Sequence, residues 1–345
     1  MQRRKAFIPA LLTLFVGTMV FAGEPELGEK APALTVAKWI GGEPVDLEKA
    51  DAADVFVLSF WPASQRQARY YTSQLSELQR QFRDKRVRVI VVTDDDEETI
   101  EKFLNGGWRK QVAFTIALDK RGRSMKRWAP QTNWAEPGRT CVVKGGKVVW
   151  VGHPREELDV QVAEACGDTE YLVGAKEQQT QAAKLRTAFE DEKWDDALAA
   201  LDKMQAFKPR EGRLCTARYM VLAMKKKDAA AAKAYGPTLL ANCDDPEVLN
   251  ELAWGMLTEK AWEEAQDLEF SRALAHKAMM LTEEKNGAIV DTYARALYEM
   301  GDLKAAVEWQ KKAVNICKHK DEFRGSLDEV EGTLQKYQHK LNRGI

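Results

Sequence analysis

"VFVLSFWPASQRQARYYTSQL", residues 55–75, is the stretch whose reading decides the fold. Positions 55–60 are apolar at all but one residue and rich in Val and Phe. A strand apolar on both faces is one covered on both faces, as in a parallel sheet flanked by helices. Trp61 and Pro62 end the run, and from about Arg66 the spacing becomes helical. The chain thus passes from a buried strand into a helix across a short turn.

Working outward, further strands are expected over 87–93, 113–118, 140–143 and 147–151, each rich in Val, Ile or Phe and bounded by turn residues. Helices fit over 67–85, 97–105 and 158–166. Strands alternating with helices argue for a parallel core. Gly145-Gly146, between the last two strands, reads as a hairpin turn.

From about Gly174 the composition shifts to Ala, Leu, Lys and Glu, and strand signals stop. "EKWDDALAALDKM" (192–204), "KDAAAAKAYGPTLL" (227–240), "LEFSRALAHKAMML" (268–281) and "GDLKAAVEWQKKAV" (301–314) look alike. Ala197 and Ala231 are 34 residues apart, Ala278 and Ala313 35. That period belongs to tetratricopeptide-type arrays of helical hairpins. "DTYARALYEMGDLKAAVEWQKKAVNI" (291–316) resembles that pattern best, with small Ala294, Ala306 and Ala313 where helices approach closely. Four degenerate units are expected, over 176–207, 210–243, 246–283 and 287–318, the third stretched around 259–267. A final helix, 323–341, would cap the open apolar end. Small residues are explained by close packing alone; the functional alternative is a concave groove that binds a peptide.

The N-terminus reads as a signal peptide over 1–22. Arg3-Arg4-Lys5 precede an apolar stretch, and Val20-Phe21-Ala22 suits cleavage after Ala22. The organisation expected is therefore 1–22 signal, 23–172 an α/β domain, and 173–345 the helical repeats with their cap. The mature protein would be periplasmic or secreted, with no stable membrane span. With 52 basic against 53 acidic residues, nothing favours nucleic acid. The five cysteines (Cys141, Cys166, Cys215, Cys243, Cys317) include no C-x-x-C and no metal-finger spacing. Cys215 and Cys243 sit at ends of neighbouring antiparallel helices, so a disulfide between them is a candidate, worth about 3 kcal/mol or more in the entropy model. Cys141 and Cys166 form a second possible pair.

The first region resembles the exported thioredoxin-like thiol–disulfide oxidoreductases. The likeness runs through "GEKAPALTVAKWIGGEPVDLEK" (28–49), as a strand pair ahead of the core, "VFVLSFW" (55–61), "VRVIVVTDDDEETIEKFL" (87–104), "FTIALDKRGRSMKRW" (114–128) and "EPGRTCVVKGGKVVWVGHP" (136–154). The resemblance implies an α/β thioredoxin-like domain followed by an all-α tetratricopeptide-like solenoid. The family's active stretch, F-W-x-x-x-C-x-x-C-R, aligned on Phe60 and Trp61, puts Gln65 and Ala68 at the cysteine positions and Arg69 at the basic one. A one-residue shift puts Ser64 and Gln67 there instead. Its peroxidase branch, F-x-P followed by one cysteine, is echoed by Phe60 and Pro62 without the sulfur. Disulfide exchange needs a thiolate, favoured at a helix N-terminus, and a second thiol in reach. An amide and a methyl group supply neither.

The turn is then either degenerate or converted to recognition. For recognition, Trp61, Arg66, Gln67, Arg69, Trp134, Glu136 and Pro137 are the candidate partner contacts. Pro137 aligns with the family's cis-proline, and Trp61, Trp128 and Trp134 would rim a shallow groove; core packing is the alternative for each tryptophan. The run Asp94–Glu98 follows a strand and opens a helix, which suits capping rather than metal binding. His153, His276, His319 and His339 are scattered and form no ligand pair. No metal and no cofactor is expected. The function expected is a non-catalytic exported scaffold or adaptor for protein or peptide partners. The alternative is a redoxin-like oxidoreductase using an atypical cysteine, Cys141 above all.

Overall fold

A computed structural model describes residues 26–63, 66–128, 138–319 and 325–343 of the chain, with backbone alone for 66–70. Its sheet has six strands: β1 (Val36–Ile40), β2 (Val55–Phe60), β3 (Val87–Thr93), β4 (Thr115–Asp119), β5 (Arg139–Lys144) and β6 (Lys147–Gly152). They lie in the order β1-β4-β3-β2-β5-β6. The parallel core expected from the sequence is confined to β4, β3 and β2; β1, β5 and β6 each join antiparallel. The strand pair expected over 28–49 is one strand, β1, plus a single bridge from Lys30 to Lys147. Gly145 and Gly146 make the hairpin turn, both at positive φ (54° and 76°), as a two-residue I′ turn requires.

Every residue of β2 is buried. One face carries Val55 and Val57 against Tyr71, Leu75 and Leu78 of helix α1 (Arg66–Gln81) and Phe82 just past its end. The other carries Phe56, Leu58 and Phe60 against Met125 and Trp128 of α3 (Arg123–Trp128). Between these, α2 (Glu97–Phe103) runs directly into a π-turn, Leu104–Trp108, which contains Gly107 at φ 110°. The helix expected over 97–105 therefore changes geometry at its end, because Gly107 takes a backbone conformation closed to most residues. After β6, α4 (Leu158–Cys166) packs on the α1 face of the sheet.

The rest of the described chain is helical: α5 (Thr169–Glu190), α6 (Trp194–Phe207), α7 (Gly212–Met220), α8 (Ala229–Asn242), α9 (Pro246–Thr258), α10 (Leu268–Leu281), α11 (Gly287–Glu299), α12 (Leu303–His319) and α13 (Leu327–Arg343). The molecule is a thioredoxin-like α/β domain followed by a largely helical C-terminal region. Asp168, Asp228, Asp245, Asp267 and Asn286 cap the helices that follow them, each accepting from a backbone N–H of the first turn. Buried alanines (Ala197, Ala232, Ala253, Ala278, Ala294, Ala306, Ala313) let neighbouring helices approach. The stretch expected around 259–267 is a loop holding a 3-10 turn at Lys260–Trp262, with Trp262 buried beneath it. The boundary expected at 172/173 falls inside the unbroken helix α5.

No disulfide joins any of the five cysteines, all of which are among the described residues. The bridge suggested for Cys215 and Cys243 is not formed. The Cys215 sulfur faces Gln205 Nε2 (3.2 Å) and the Pro209 carbonyl, whereas that of Cys243 faces the Asp245 carbonyl. Cys141 and Cys166 cannot pair, because Cys141 packs with the α3 face of the sheet and Cys166 with the α1 face.

Candidate functional site

The site built by the fold is the apex where β2 ends, α1 begins and the chain re-enters β5. Trp61 leaves β2 and turns inward. It is 1% exposed and lies edge-on to Phe103 and Phe114 at 6.1 and 6.3 Å. Trp128 is fully buried and stacked on Phe60 at 5.7 Å. Neither rims a groove, which corrects the sequence reading of Trp61 as a partner contact. A large ring at the end of a buried strand gains more by entering the core than by staying in water.

Two residues later the Ala63 N–H donates to Asp95 Oδ2 at 2.5 Å, and Thr93 Oγ1 donates to the same oxygen. Asp95 thereby ties the β2–α1 turn to the end of β3. The Asp94–Glu98 run also supplies the cap expected of it: Asp96 accepts from the Thr99 N–H and begins α2. That hydrogen bond holds the Asp96 carboxyl below the usual aspartate range. The tie through Asp95 was not legible, since a run of acids before a helix reads as capping alone.

The remaining sequence candidates at the apex, Gln65, Trp134, Glu136 and Pro137, lie outside the described residues. So do the side chains of Arg66, Gln67, Ala68 and Arg69, whose backbone forms the first turn of α1. What the structure does bring together is Tyr71 and His153. The buried Tyr71 hydroxyl meets His153 Nε2 at 2.9 Å, the rings edge to face at 5.1 Å. At the ring's other nitrogen, the Arg155 N–H donates to His153 Nδ1 at 3.3 Å. Gly138, at φ 121°, passes so close that a β-carbon there would stand 3.1 Å from both partners. Its N–H donates to the Phe60 carbonyl and closes the returning chain onto the end of β2. Gln74 of α1 donates to the Pro154 carbonyl at 2.6 Å and fixes the same corner. His153 was read as solitary because its partner is 82 residues away in the chain.

The sulfur chemistry of the chain lies elsewhere. Cys141 is mid-strand in β5, opposite Leu58, and fully buried. Burial pushes the Cys166, Cys215 and Cys317 thiols up, and that of Cys243 up to about 12. A thiol so shifted is almost wholly protonated at neutral pH, and the thiolate is the reactive form. The apex can therefore offer a phenol–imidazole pair, backbone groups and a helix N-terminus. Among the described residues it offers no thiol.

Residues 27–151 match the AhpC/TSA family. This match covers the sheet through β6 and leaves the helical region outside it. Solved structures similar to the chain include a protein assigned as the thiol:disulfide interchange protein DsbE of Chlorobium tepidum, at 22% identity over 41% of this chain and 99% of that one (TM-score 0.33). Another is the thioredoxin domain of a thiol-disulfide oxidoreductase from Bacteroides vulgatus, at 21% identity over 40% and 96% (TM-score 0.34). A third is a thiol:disulfide interchange protein from a Bacteroides species, at 21% over 41% and 91% (TM-score 0.34). No curated protein matches the chain. Among the described residues no helix is long and apolar enough to cross a membrane.

Proposed function

We propose that this protein is a non-catalytic binding module, a thioredoxin-like domain joined to tetratricopeptide-like helical hairpins, which holds protein or peptide partners as a scaffold or adaptor. What carries the reading is the place of its sulfur: the sequence has no cysteine between 55 and 140, and the five it has lie away from the β2–α1 turn. Gln65 and Ala68 stand where the resembled family has its redox pair. Arg66, Gln67, Arg69, Trp134, Glu136 and Pro137 are the contacts proposed for a partner at the apex. Arg3-Arg4-Lys5 and the apolar stretch after them support export, with cleavage after Ala22.

The deciding experiment is insulin reduction by the purified mature protein, beside a C-x-x-C-bearing thioredoxin-like protein as reference. Turnover at background is expected. The competing reading, an oxidoreductase using an atypical cysteine, requires turnover that vanishes in Cys141→Ala. Binding is tested by crosslinking in the native envelope followed by mass spectrometry, with Arg66→Ala/Arg69→Ala as the variant expected to lose the captured partner.

A further inference from the structure

The thioredoxin-like domain meets the helical region in two places of different character. The first is covalently continuous and buried. Tyr171 of α5 lies between Phe82, just past α1, and Phe207 of α6, at 5.3 and 4.9 Å, and its hydroxyl donates to Asp159 of α4. The second contact lies far along the chain. The π-turn after α2 abuts the loop between α10 and α11, with Gly107 so close that a β-carbon there would land on the Thr282 carbonyl. Gln111 Nε2 donates both to the Gly107 carbonyl and to the Leu281 carbonyl, each at 3.2 Å. Lys110 Nζ pairs with Glu283 at 3.3 Å, and Arg80 Nη2 donates to the Gln111 carbonyl, anchoring the segment to α1.

Two features mark this second contact as releasable. Its polar part among the described residues is slight: one side-chain hydrogen bond crosses, from Gln111 to the Leu281 carbonyl, beside the Lys110–Glu283 ion pair, and these hold far less than a buried apolar interface. It is also strained. Glu283 and Glu284 are consecutive non-glycine residues at positive φ, 51° and 58°, and such residues cost on the order of 1–3 kcal/mol each. The segment is continuous with the apex, because Trp108 stacks on Phe103 at 5.8 Å and Phe103 meets Trp61.

We propose that the π-turn 104–108 and the loop 282–285 form a sprung intramolecular dock, which fixes the orientation of the β2–α1 apex against the helical region and releases while the contact through Tyr171 holds. Release frees the loop 282–285 from the π-turn and leaves the buried contact through Tyr171 as the one that still joins the two regions. The proposal stands whether the apex binds a partner or performs chemistry.

The test is zero-length carbodiimide crosslinking of the full mature chain, read by peptide mass spectrometry, with hydrogen exchange alongside. The wild type is expected to give an amide between Lys110 and Glu283. Gly107→Val, which leaves both of those residues in place, is expected to lower its yield at least about tenfold. Amide exchange over 107–112 and 281–285 should rise by a similar factor, with β2, β3 and α9 unchanged. A second route does not depend on tolerance of valine. Lys110→Glu, which leaves Glu283 paired with Lys285 at 2.6 Å, should speed exchange over 281–285 about two- to fivefold, as loss of an exposed pair predicts. A dock is overturned by absence of the Lys110–Glu283 link in the wild type, or by exchange over 281–285 that Lys110→Glu leaves unchanged. An independent release is overturned by exchange that rises equally in β2 and α9.

Discussion

Lys208 Nζ, one residue past α6, donates to Asp159 Oδ2 on α4 at 2.5 Å, across 49 residues of chain. The same oxygen accepts from the Tyr171 hydroxyl at 2.5 Å. One carboxylate thus joins the sheet-bearing domain to the first hairpin of the helical region. Burial opposes its charge, but the Lys208 ammonium and the two donated hydrogen bonds outweigh burial and hold the Asp159 carboxyl below its usual range. Burial first, and then the Asp159 carboxylate, push the Tyr171 phenol up to about 12 against the opposing charge of Lys208.

The sign of the pH dependence follows. A carboxyl whose folded pKa is depressed stabilises the fold above its unfolded value and loses that contribution as pH falls through the folded one. Tyr171→Phe should therefore lower stability at pH 7 by about 1.5–3 kcal/mol, the usual share of a hydrogen bond to a charged group. It should also move the acid-unfolding limb to higher pH, because Asp159 loses a donor. Thermal unfolding between pH 3 and 7 checks both effects; an unmoved acid limb would contradict the assignment.

Asp291 on α11 shows the reverse case. Burial raises its carboxyl pKa, against the hydrogen bond that Gln310 Nε2 donates at 2.5 Å. A raised folded pKa means stability that is fully present below the unfolded value and declines as pH rises through the folded one. Asp291→Asn keeps an acceptor for Gln310 and removes the buried charge. It is expected to raise Tm at pH 7 and to leave it unchanged at pH 3, measured by calorimetry.

Trp61 was a candidate contact and is a core residue. Trp61→Ala should destabilise the thioredoxin-like domain by about 3–5 kcal/mol, as large-to-small core substitutions do. Denaturant unfolding gives the number. A variant of native stability that has lost a partner would return Trp61 to the surface role.

The thiols should react in an order set by exposure. Cys166 is half-buried and Cys141, Cys215, Cys243 and Cys317 are fully buried. Iodoacetamide at pH 8 is expected to label Cys166 first in the native protein. The other four should react at least tenfold more slowly until unfolding, as timed mass spectrometry would show.

Much of the fold was legible in the chain. The all-apolar run at Val55–Phe60, the Gly145-Gly146 turn and the helical hairpins from α5 to α12 follow from periodicity and turn chemistry, which are local. The antiparallel partners of the sheet were less so, because β5 carries the same apolar signal that a parallel neighbour would. Of the candidate site, Trp61 was misread because a ring at a strand end suits rim and core equally well in sequence. The Tyr71–His153 pair and the Asp95 tie were missed because each joins residues from different elements. The opposite facing of Cys141 and Cys166 could have been found in part: strand alternation puts Cys141 on the face opposite Val142, and Val142 faces α1.

By itself the sequence determined the two regions, the order of their elements and the absence of sulfur from the β2–α1 turn, since composition and short-range spacing are properties of the chain before it folds. Only the tertiary structure decided that Trp61 is core, that His153 has a phenol for a partner, and that Gly107 rests on Thr282. Those contacts depend on where distant segments come to lie, which is set by burial of the whole apolar surface at once.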